Sequence, residues 1–423
     1  MRLGLSGLTS RGRSFLAAGI TAVVCAIVLG QPALTRVGVL LLVLPVLCAL
    51  LVGRNRYQLS LNRTLSPGLV AAGQPATVQL TLHNDARIRT GLLLVEDQLP
   101  YALGNRPRFV VDGLKAGSPR STTYQVRSDV RGNFTIGPLL VRVSDPFGLV
   151  ELGRSFHAST QLVVTPRTVP LPPVPIGGAW TGAGDNRPRA FATGSAEDVT
   201  VREYRRGDDL RRVHWRSSAR TGELMVRREE QPWQSRATLV LDNRATAHRG
   251  TGASSSLEAA VSHAASIAAH LTQRGFTVRL VTADGEDPNS VWHDRSRGQD
   301  VSPILEALAV LDTTRRAHLA TDWIAEAGHD GVLIALLGDL DDHDHTALRR
   351  MRISGRRPLA LALDVDAWAR PSSPPAGRAA WLSSLGWAAI NVRPSDALAP
   401  VWQELGRRAE APGSATAAEG SLR

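Results

Sequence analysis

Residues 237–275 read ATLVLDNRATAHRGTGASSSLEAAVSHAASIAAHLTQRG. The first five form a short apolar run of the kind that makes a strand buried on both faces, and the run stops at Asp242. Behind it, Leu257, Val261, Ala264, Ala268 and Leu271 recur at the spacing of one helix face. Ser255 and Glu258 supply a capping box at the start of that helix, and Gly275 supplies its stop. The alternation then repeats. Phe276 to Val281, Val332 to Leu337, Leu359 to Leu363 and Ala388 to Val392 read as strands. Helical patterns lie around Ile304 to Leu311 and Thr346 to Met351, in a short segment after Leu363, and from Ser395 onward. Such alternation predicts an α/β doubly wound, mostly parallel sheet over residues 237–409.

Doubly wound sheets place ligands at the carboxyl ends of their strands. Asp242, Asp284, Asp339 and Asp364 fall at that edge. An oxygen-only cluster suits a hard cation such as Mg²⁺, but aspartates also cap helices and fill turns, so the four define no metal site by themselves. The polar run Asp341, Asp342, His343, Asp344 and His345 reads as a solvated loop that opens a helix.

Upstream, residues 201–236 read VREYRRGDDLRRVHWRSSARTGELMVRREEQPWQSR, with ten arginines and six acidic residues. A nucleic-acid patch would carry fewer carboxylates, since each opposes phosphate binding, so internal arginine–carboxylate pairing or a protein interface is the expected use. Arg205, Asp208, Asp209, His214, Trp215 and Arg216 are the candidates for fixing a domain junction or touching a partner. A hydrolase using His214 with Asp208 or Asp209 is the alternative, and nucleic-acid binding through the arginines is a third. A packed, hydrogen-bonded histidine is the ordinary role for His214.

Between Tyr57 and Thr165, apolar residues recur at period two from Ala76 to Leu82, Gly91 to Val95, Arg108 to Val111, Thr122 to Val126 and Leu139 to Val143. Turn-forming breaks separate them, which predicts an all-β sandwich-like domain over residues 54–168. No nucleophile and base pair or metal spacing stands out within it. Residues 169–200, rich in proline and glycine, read as a linker, and 410–423 as a disordered tail.

Nearer the start, the chain is uncharged from Ser14 to Thr35 and again from Val37 to Gly53. Runs of roughly 22 and 17 residues fit bilayer-spanning helices. They predict an N-terminal transmembrane hairpin over 14–53, turning at Gln31–Arg36, after a short cytoplasmic segment, 1–13. A cleaved signal peptide is the competing reading of the first run, and the second run that follows at once argues against it. Arg2, Arg11 and Arg13 precede the hairpin and Arg54, Arg56 and Arg63 follow it, while Arg36 stands alone near the turn. The positive-inside rule then places both ends, and the bulk of the chain, in the cytoplasm, anchored on the plasma (inner) membrane. Cys25 and Cys48 sit at unequal heights from that turn, about 9 Å apart along the helix axes, too far for a disulfide.

The composition agrees with this layout. The 423 residues include 49 basic and 38 acidic side chains for a net charge of +11, and Lys115 is the only lysine. With 43% hydrophobic residues the chain can bury substantial cores, and its two cysteines form neither a disulfide framework nor a cysteine-based zinc site.

Arg202-Glu203-Tyr204, Gly207-Asp208-Asp209, Arg212-Val213-His214-Trp215, Ser218-Ala219-Arg220-Thr221-Gly222 and Leu224-Met225-Val226-Arg227 resemble the signature of the bacterial family labelled domain of unknown function 58. Gly137-Pro138-Leu139 and Ser144-Asp145-Pro146-Phe147-Gly148-Leu149 resemble the same family's β-segment. The resemblance implies a von Willebrand factor A-like C-terminal fold and association with a MoxR-type AAA+ ATPase in protein maturation or complex assembly. It implies no established reaction and no cofactor. In A-like domains an Asp-x-Ser-x-Ser motif after the first strand holds a metal. Here the matching positions are Asp242, Arg244 and Thr246, with Asp339 on a later strand end. Arg244 replaces the central serine, and its guanidinium is expected to repel a divalent ion and neutralise Asp242. The expectation is therefore a non-enzymatic membrane adaptor whose partners are the ATPase, a client protein and membrane lipid, with no nucleic acid.

Overall fold

The computed structural model describes residues 7–54, 59–87, 89–145, 147–175, 200–204, 213, 215–228, 236–285, 300–327, 331–353, 358–370 and 377–410. Two apolar helices, α1 (Ser10–Leu29) and α2 (Pro32–Arg54), begin it, and both are long enough to cross a membrane. Thr9 caps α1 by accepting the Gly12 N–H at 3.2 Å, and Gly30, at φ 65°, ends it in the left-handed conformation. The turn is therefore only Gly30 and Gln31, shorter than the expected Gln31–Arg36. Pro32 starts α2 rather than breaking it, because a first-turn proline lacks only an N–H that the helix would leave unpaired, and Arg36 lies inside the helix. The helices meet at two glycines. A methyl on Gly19 would stand 2.8 Å from Leu42, and one on Gly38 2.7 Å from Val23, so the backbones approach as small-residue membrane contacts allow. Cys25 is exposed, Cys48 is buried, and both are free thiols.

Ten strands follow: β1 (Leu59–Ser66), β2 (Leu69–Ala71), β3 (Pro75–Asn84), β4 (Leu92–Asp97), β5 (Arg108–Val111), β6 (Pro119–Arg127), β7 (Gly132–Ile136), β8 (Leu139–Ser144), β9 (Glu151–Phe156) and β10 (Thr160–Thr165). They form sheets ordered β1-β3-β6, β5-β4-β8-β9 and β2-β10-β7 around one core that includes Leu80, Leu93, Ile136, Leu139 and Leu162. Along β3, Ala76, Val78, Leu80 and Leu82 all point inward, the alternation of a half-buried strand. One ion pair is buried with them. Arg63 reaches Asp97 at 2.7 Å, and the Tyr124 hydroxyl donates to the same carboxylate at 2.6 Å. Burial pushes the Asp97 carboxyl up, against the opposing pull of Tyr124 and Arg63.

Beyond β10 the chain does not become a free linker. Residues 166–175 form an extended strap on the next domain, with Leu171 and Val174 buried in its core and the Val169 N–H donating to Ser266 Oγ at 3.0 Å. Proline prevents a helix there but leaves the strap's apolar side chains free to pack. The remainder of the expected linker, 176–199, lies outside the described residues.

A two-stranded antiparallel unit, β11 (Thr200–Glu203) and β12 (Met225–Arg228), frames the short helix α3 (Trp215–Thr221). The last domain is a five-stranded sheet of β13 (Arg236–Leu241), β14 (Thr277–Thr282), β15 (Val332–Leu337), β16 (Leu359–Leu363) and β17 (Ala388–Val392). Every pairing is parallel and the order is β14-β13-β15-β16-β17. The helices are α4 (Ser256–Gln273), α5 (Ser302–Val310), α6 (Ile324–Ala327), α7 (Asp344–Ile353), α8 (Val365–Ala369), α9 (Arg378–Ser384) and α10 (Leu398–Glu410). Leu239 packs with α4, α5 and α10 on one face while its neighbour Val240 packs with α7 and α9 on the other. A strand covered on both faces must read as a continuous apolar run, which is what residues 237–241 are.

The two domains are joined beside the strap. Arg131, at the entry to β7, forks onto Glu258 in the first turn of α4, with Nε and Nη2 at 2.8 and 2.9 Å, while Nη1 donates to the carbonyl of Leu308 near the end of α5.

Candidate functional site

In this strand order the chain reverses its winding direction between β13 and β15, and the crevice outside their carboxyl ends is where such sheets hold ligands. Asp242 follows β13 directly, fully buried. Asn243 holds the next turn in place: its side chain accepts the Ala283 N–H at 3.1 Å and donates to the Asp312 carbonyl at 2.8 Å. Arg244 therefore folds back into the crevice. Its Nε and Nη2 bond the two oxygens of Asp242 at 3.0 and 2.9 Å, and Nη1 and Nη2 bond those of Asp344 at 2.9 and 3.1 Å. A further N–H reaches the Ala317 carbonyl at 3.0 Å. Burial alone would pull the Arg244 guanidinium towards neutrality, but the hydrogen bonds and charges of Asp242 and Asp344 outweigh it and push its pKa up.

The walls of the crevice fit this plug. A methyl on Gly338 would come within 2.2 Å of the Ala247 carbonyl oxygen, so β15 can leave the sheet this close to the loop only with glycine. His248 lies beneath it, its Nε2–H donating to the Asp242 carbonyl at 2.6 Å and its Nδ1 paired with Ser256 Oγ at 3.0 Å. Burial lowers that imidazole's pKa, which keeps it a neutral prop.

The pairing continues along the edge. Asp284 meets Arg316 at 2.8 Å, Asp339 is held by Arg249 at 2.9 Å and Arg378 at 2.6 Å, and Asp364 lies 3.1 Å from Arg393. Each of the four aspartates expected at this edge is there, and each faces a guanidinium. Thr246 stands exposed in a short 3₁₀ turn, its carbonyl accepting from Arg249 at 2.6 Å. Together Asp242, Arg244, Thr246 and Asp339 form a donor set that does not fit a divalent cation, because a positive group already fills the position between the carboxylates. Among the described residues, no three His, Cys, Asp or Glu side chains come together as a metal site.

Asp344 corrects the sequence reading. It does not belong to a solvated loop but is 1% exposed and closes the far side of the Arg244 clamp. Its carboxylate also accepts the Asp341 N–H at 3.2 Å, and its own N–H donates to Asp341 Oδ1 at 3.3 Å. Nothing in the local pattern separates it from Asp341 or Asp342, which are both exposed.

Of the six signature residues, Arg205, Asp208, Asp209 and His214 lie outside the described residues. Trp215 opens α3 and is 71% exposed, and Arg216 and Arg220 on the same short helix are also exposed. Ser218 faces the other way: its hydroxyl accepts the Met225 N–H at 2.8 Å and ties α3 to β12. Residues 200–381, which span this unit and most of the parallel sheet, match the family model described as Protein of unknown function DUF58. This segment is a match to the DUF58 family. No curated protein matches the chain in sequence. Solved structures similar to parts of it include the CARDB domain of the PF1109 protein of Pyrococcus furiosus, at 16% identity over 26% of this chain and 93% of that one, with a TM-score of 0.20. The putative ApaA protein of Bordetella pertussis is similar at 11% identity over 26% of this chain and 94% of that one, with a TM-score of 0.21. Likenesses at that level bear on neither fold nor function.

Proposed function

We propose that this DUF58 protein is a membrane-anchored, non-enzymatic adaptor that grips a protein partner through the surface around α3. Trp215 carries the reading. A tryptophan 71% exposed, flanked by exposed Arg216 and Arg220 on a helix whose far side is tied down by Ser218, has the aromatic and arginine composition of an interface hot spot. The sheet edge supports it from another direction, because the crevice where a doubly wound fold would take a small ligand is filled by Arg244. The von Willebrand factor A-like reading rests on the parallel doubly wound sheet and on Asp242 after its first strand. The family resemblance points to a MoxR-type AAA+ ATPase as the partner, acting with it on a client protein during maturation or assembly.

In this reading α1 and α2 span the inner membrane and the β and α/β domains face the cytoplasm, as the arginines outside the hairpin favour. Protease added to intact spheroplasts is expected to leave the chain whole, and trimming that removes the α/β domain would reverse the orientation. The partner surface is tested by retention of the detergent-solubilised full chain on its AAA+ ATPase. The Trp215→Ala plus Arg216→Ala variant should bind at least about thirtyfold more weakly, the loss of a hot spot worth about 2 kcal/mol. Unchanged retention would remove α3 from the interface.

A further inference from the structure

The turn from Asp145 to Val150 is fastened to the helical hairpin from both sides. The Thr9 N–H donates to the Leu149 carbonyl at 3.0 Å, and the Thr9 hydroxyl donates to the Gly148 carbonyl at 2.7 Å. Leu8 bridges to Val150, and a methyl on Gly12 would stand 2.2 Å from the Leu149 oxygen, so the turn's backbone lies directly on the first turn of α1. Leu149 is 1% exposed and sits in a cluster with Cys48, Phe15, Leu44 and Ala49. Phe15 belongs to the apolar span Ser10–Leu29, and the other three belong to Pro32–Leu50. Leu149 therefore lies at the depth of those four residues, near the Ser10 end of α1 and the Arg54 end of α2.

The turn is built for such a place. Asp145 is buried, and its carboxylate accepts the Phe147 N–H at 2.9 Å and the Val150 N–H at 2.6 Å, while the Gly148 N–H donates back to the Asp145 carbonyl at 3.0 Å. These N–H groups are answered within the turn, and the Gly148 and Leu149 carbonyls are answered by Thr9, the kind of pairing that non-helical backbone at membrane depth needs. Yet Phe147 is 60% exposed. Beside it, exposed Arg11 brings Nη1 to 3.8 Å from where a methyl on Gly148 would lie. An exposed aromatic and a guanidinium at the end of a spanning helix match the boundary between headgroups and acyl chains.

We infer that this turn is a lipid-contacting wedge. Phe147 enters the top of the acyl region and Arg11 holds the phosphate of an anionic phospholipid headgroup, an inference that rests on the hairpin spanning a bilayer. The occupant is lipid because the turn adjoins both helices within their apolar spans, where acyl chains surround them.

The test uses the full chain with Cys25→Ala and Cys48→Ala and one new cysteine carrying an environment-sensitive fluorophore. The chain is reconstituted in phosphatidylglycerol and phosphatidylcholine vesicles that contain a quencher near the top of the acyl chains. Phe147→Cys should give blue-shifted emission and lose most of its intensity. Leu40→Cys, on the exposed face of α2, should also be quenched by a deep acyl label, and Thr246→Cys on the α/β domain should keep its intensity. Emission at Phe147→Cys like that at Thr246→Cys, with Leu40→Cys still quenched, overturns the wedge alone. Leu40→Cys left unquenched overturns the spanning hairpin and the wedge with it. In phosphatidylcholine alone the blue shift at position 147 should shrink, and Arg11→Gln should abolish that lipid dependence. A dependence that persists overturns the Arg11 assignment.

Discussion

Arg244→Ala should lower the stability of the α/β domain by about 3–5 kcal/mol, the usual cost of removing one partner from a buried ionic group. The variant would leave Asp242 and Asp344, 0% and 1% exposed, facing each other without the guanidinium that bonds both. Pairing in a dry site gains little over apolar packing, but an orphaned buried carboxylate is expensive, and here two are orphaned at once. Melting of the full chain in detergent, with amide exchange followed in β13 and β15, reads the effect, and Tm should fall by roughly 10 °C. Arg244→Lys should not restore it, because a single ammonium cannot fork onto two carboxylates. Millimolar Mg²⁺ should raise the Tm of Arg244→Ala and leave the native chain unchanged. An Arg244→Ala protein that melts normally would show that the clamp does not hold the crevice.

The second large effect is expected at Arg131. Its side chain is 8% exposed and spends three N–H groups across the domain boundary, two on Glu258 and one on the Leu308 carbonyl. Hydrogen bonds to charged groups contribute about 1.5–3 kcal/mol each way they are broken, and Arg131→Ala breaks the whole fork. Docking of the β domain on α4 and α5 should weaken by about 3 kcal/mol, which accelerates amide exchange in β7 and α5 roughly a hundredfold while the two cores stay protected. Glu258→Gln alone should cost less, since the amide still accepts one bond. Coupling between the two substitutions in a double-mutant cycle identifies the pair as the source. Unchanged exchange in α5 would mean that the strap alone holds the domains together.

The parts of the fold that were readable from sequence are those whose burial follows the chain's own period. Residues 237–241 announce a strand covered on both faces, and Ser255 with Gly275 brackets α4. The run Arg108 to Val111 coincides with β5. Where tertiary contacts break the period, the reading fails. β1 carries Arg63 inward to Asp97, so its alternation contains a charge where an apolar residue would be expected. β9 has largely exposed or half-buried side chains and shows no inward set. Leu171 and Val174 stand among prolines in a strap with no repeating geometry, and only the groove by α4 and α10 makes them core. The Arg244–Asp242 half of the clamp lies two residues apart and could be inferred from the replaced serine. Asp344 arrives from 100 positions further on, placed by β15 and α7, which no local pattern encodes.

The brevity of the Gly30–Gln31 bend has a consequence for signalling. Two residues and a pair of helix ends make no surface large enough to recognise a hormone, a wall fragment or another ectodomain. With the hairpin across a bilayer, this bend offers the far side almost nothing to grip, so whatever passes through the hairpin to the folded domains passes through its helix faces and the lipid around them.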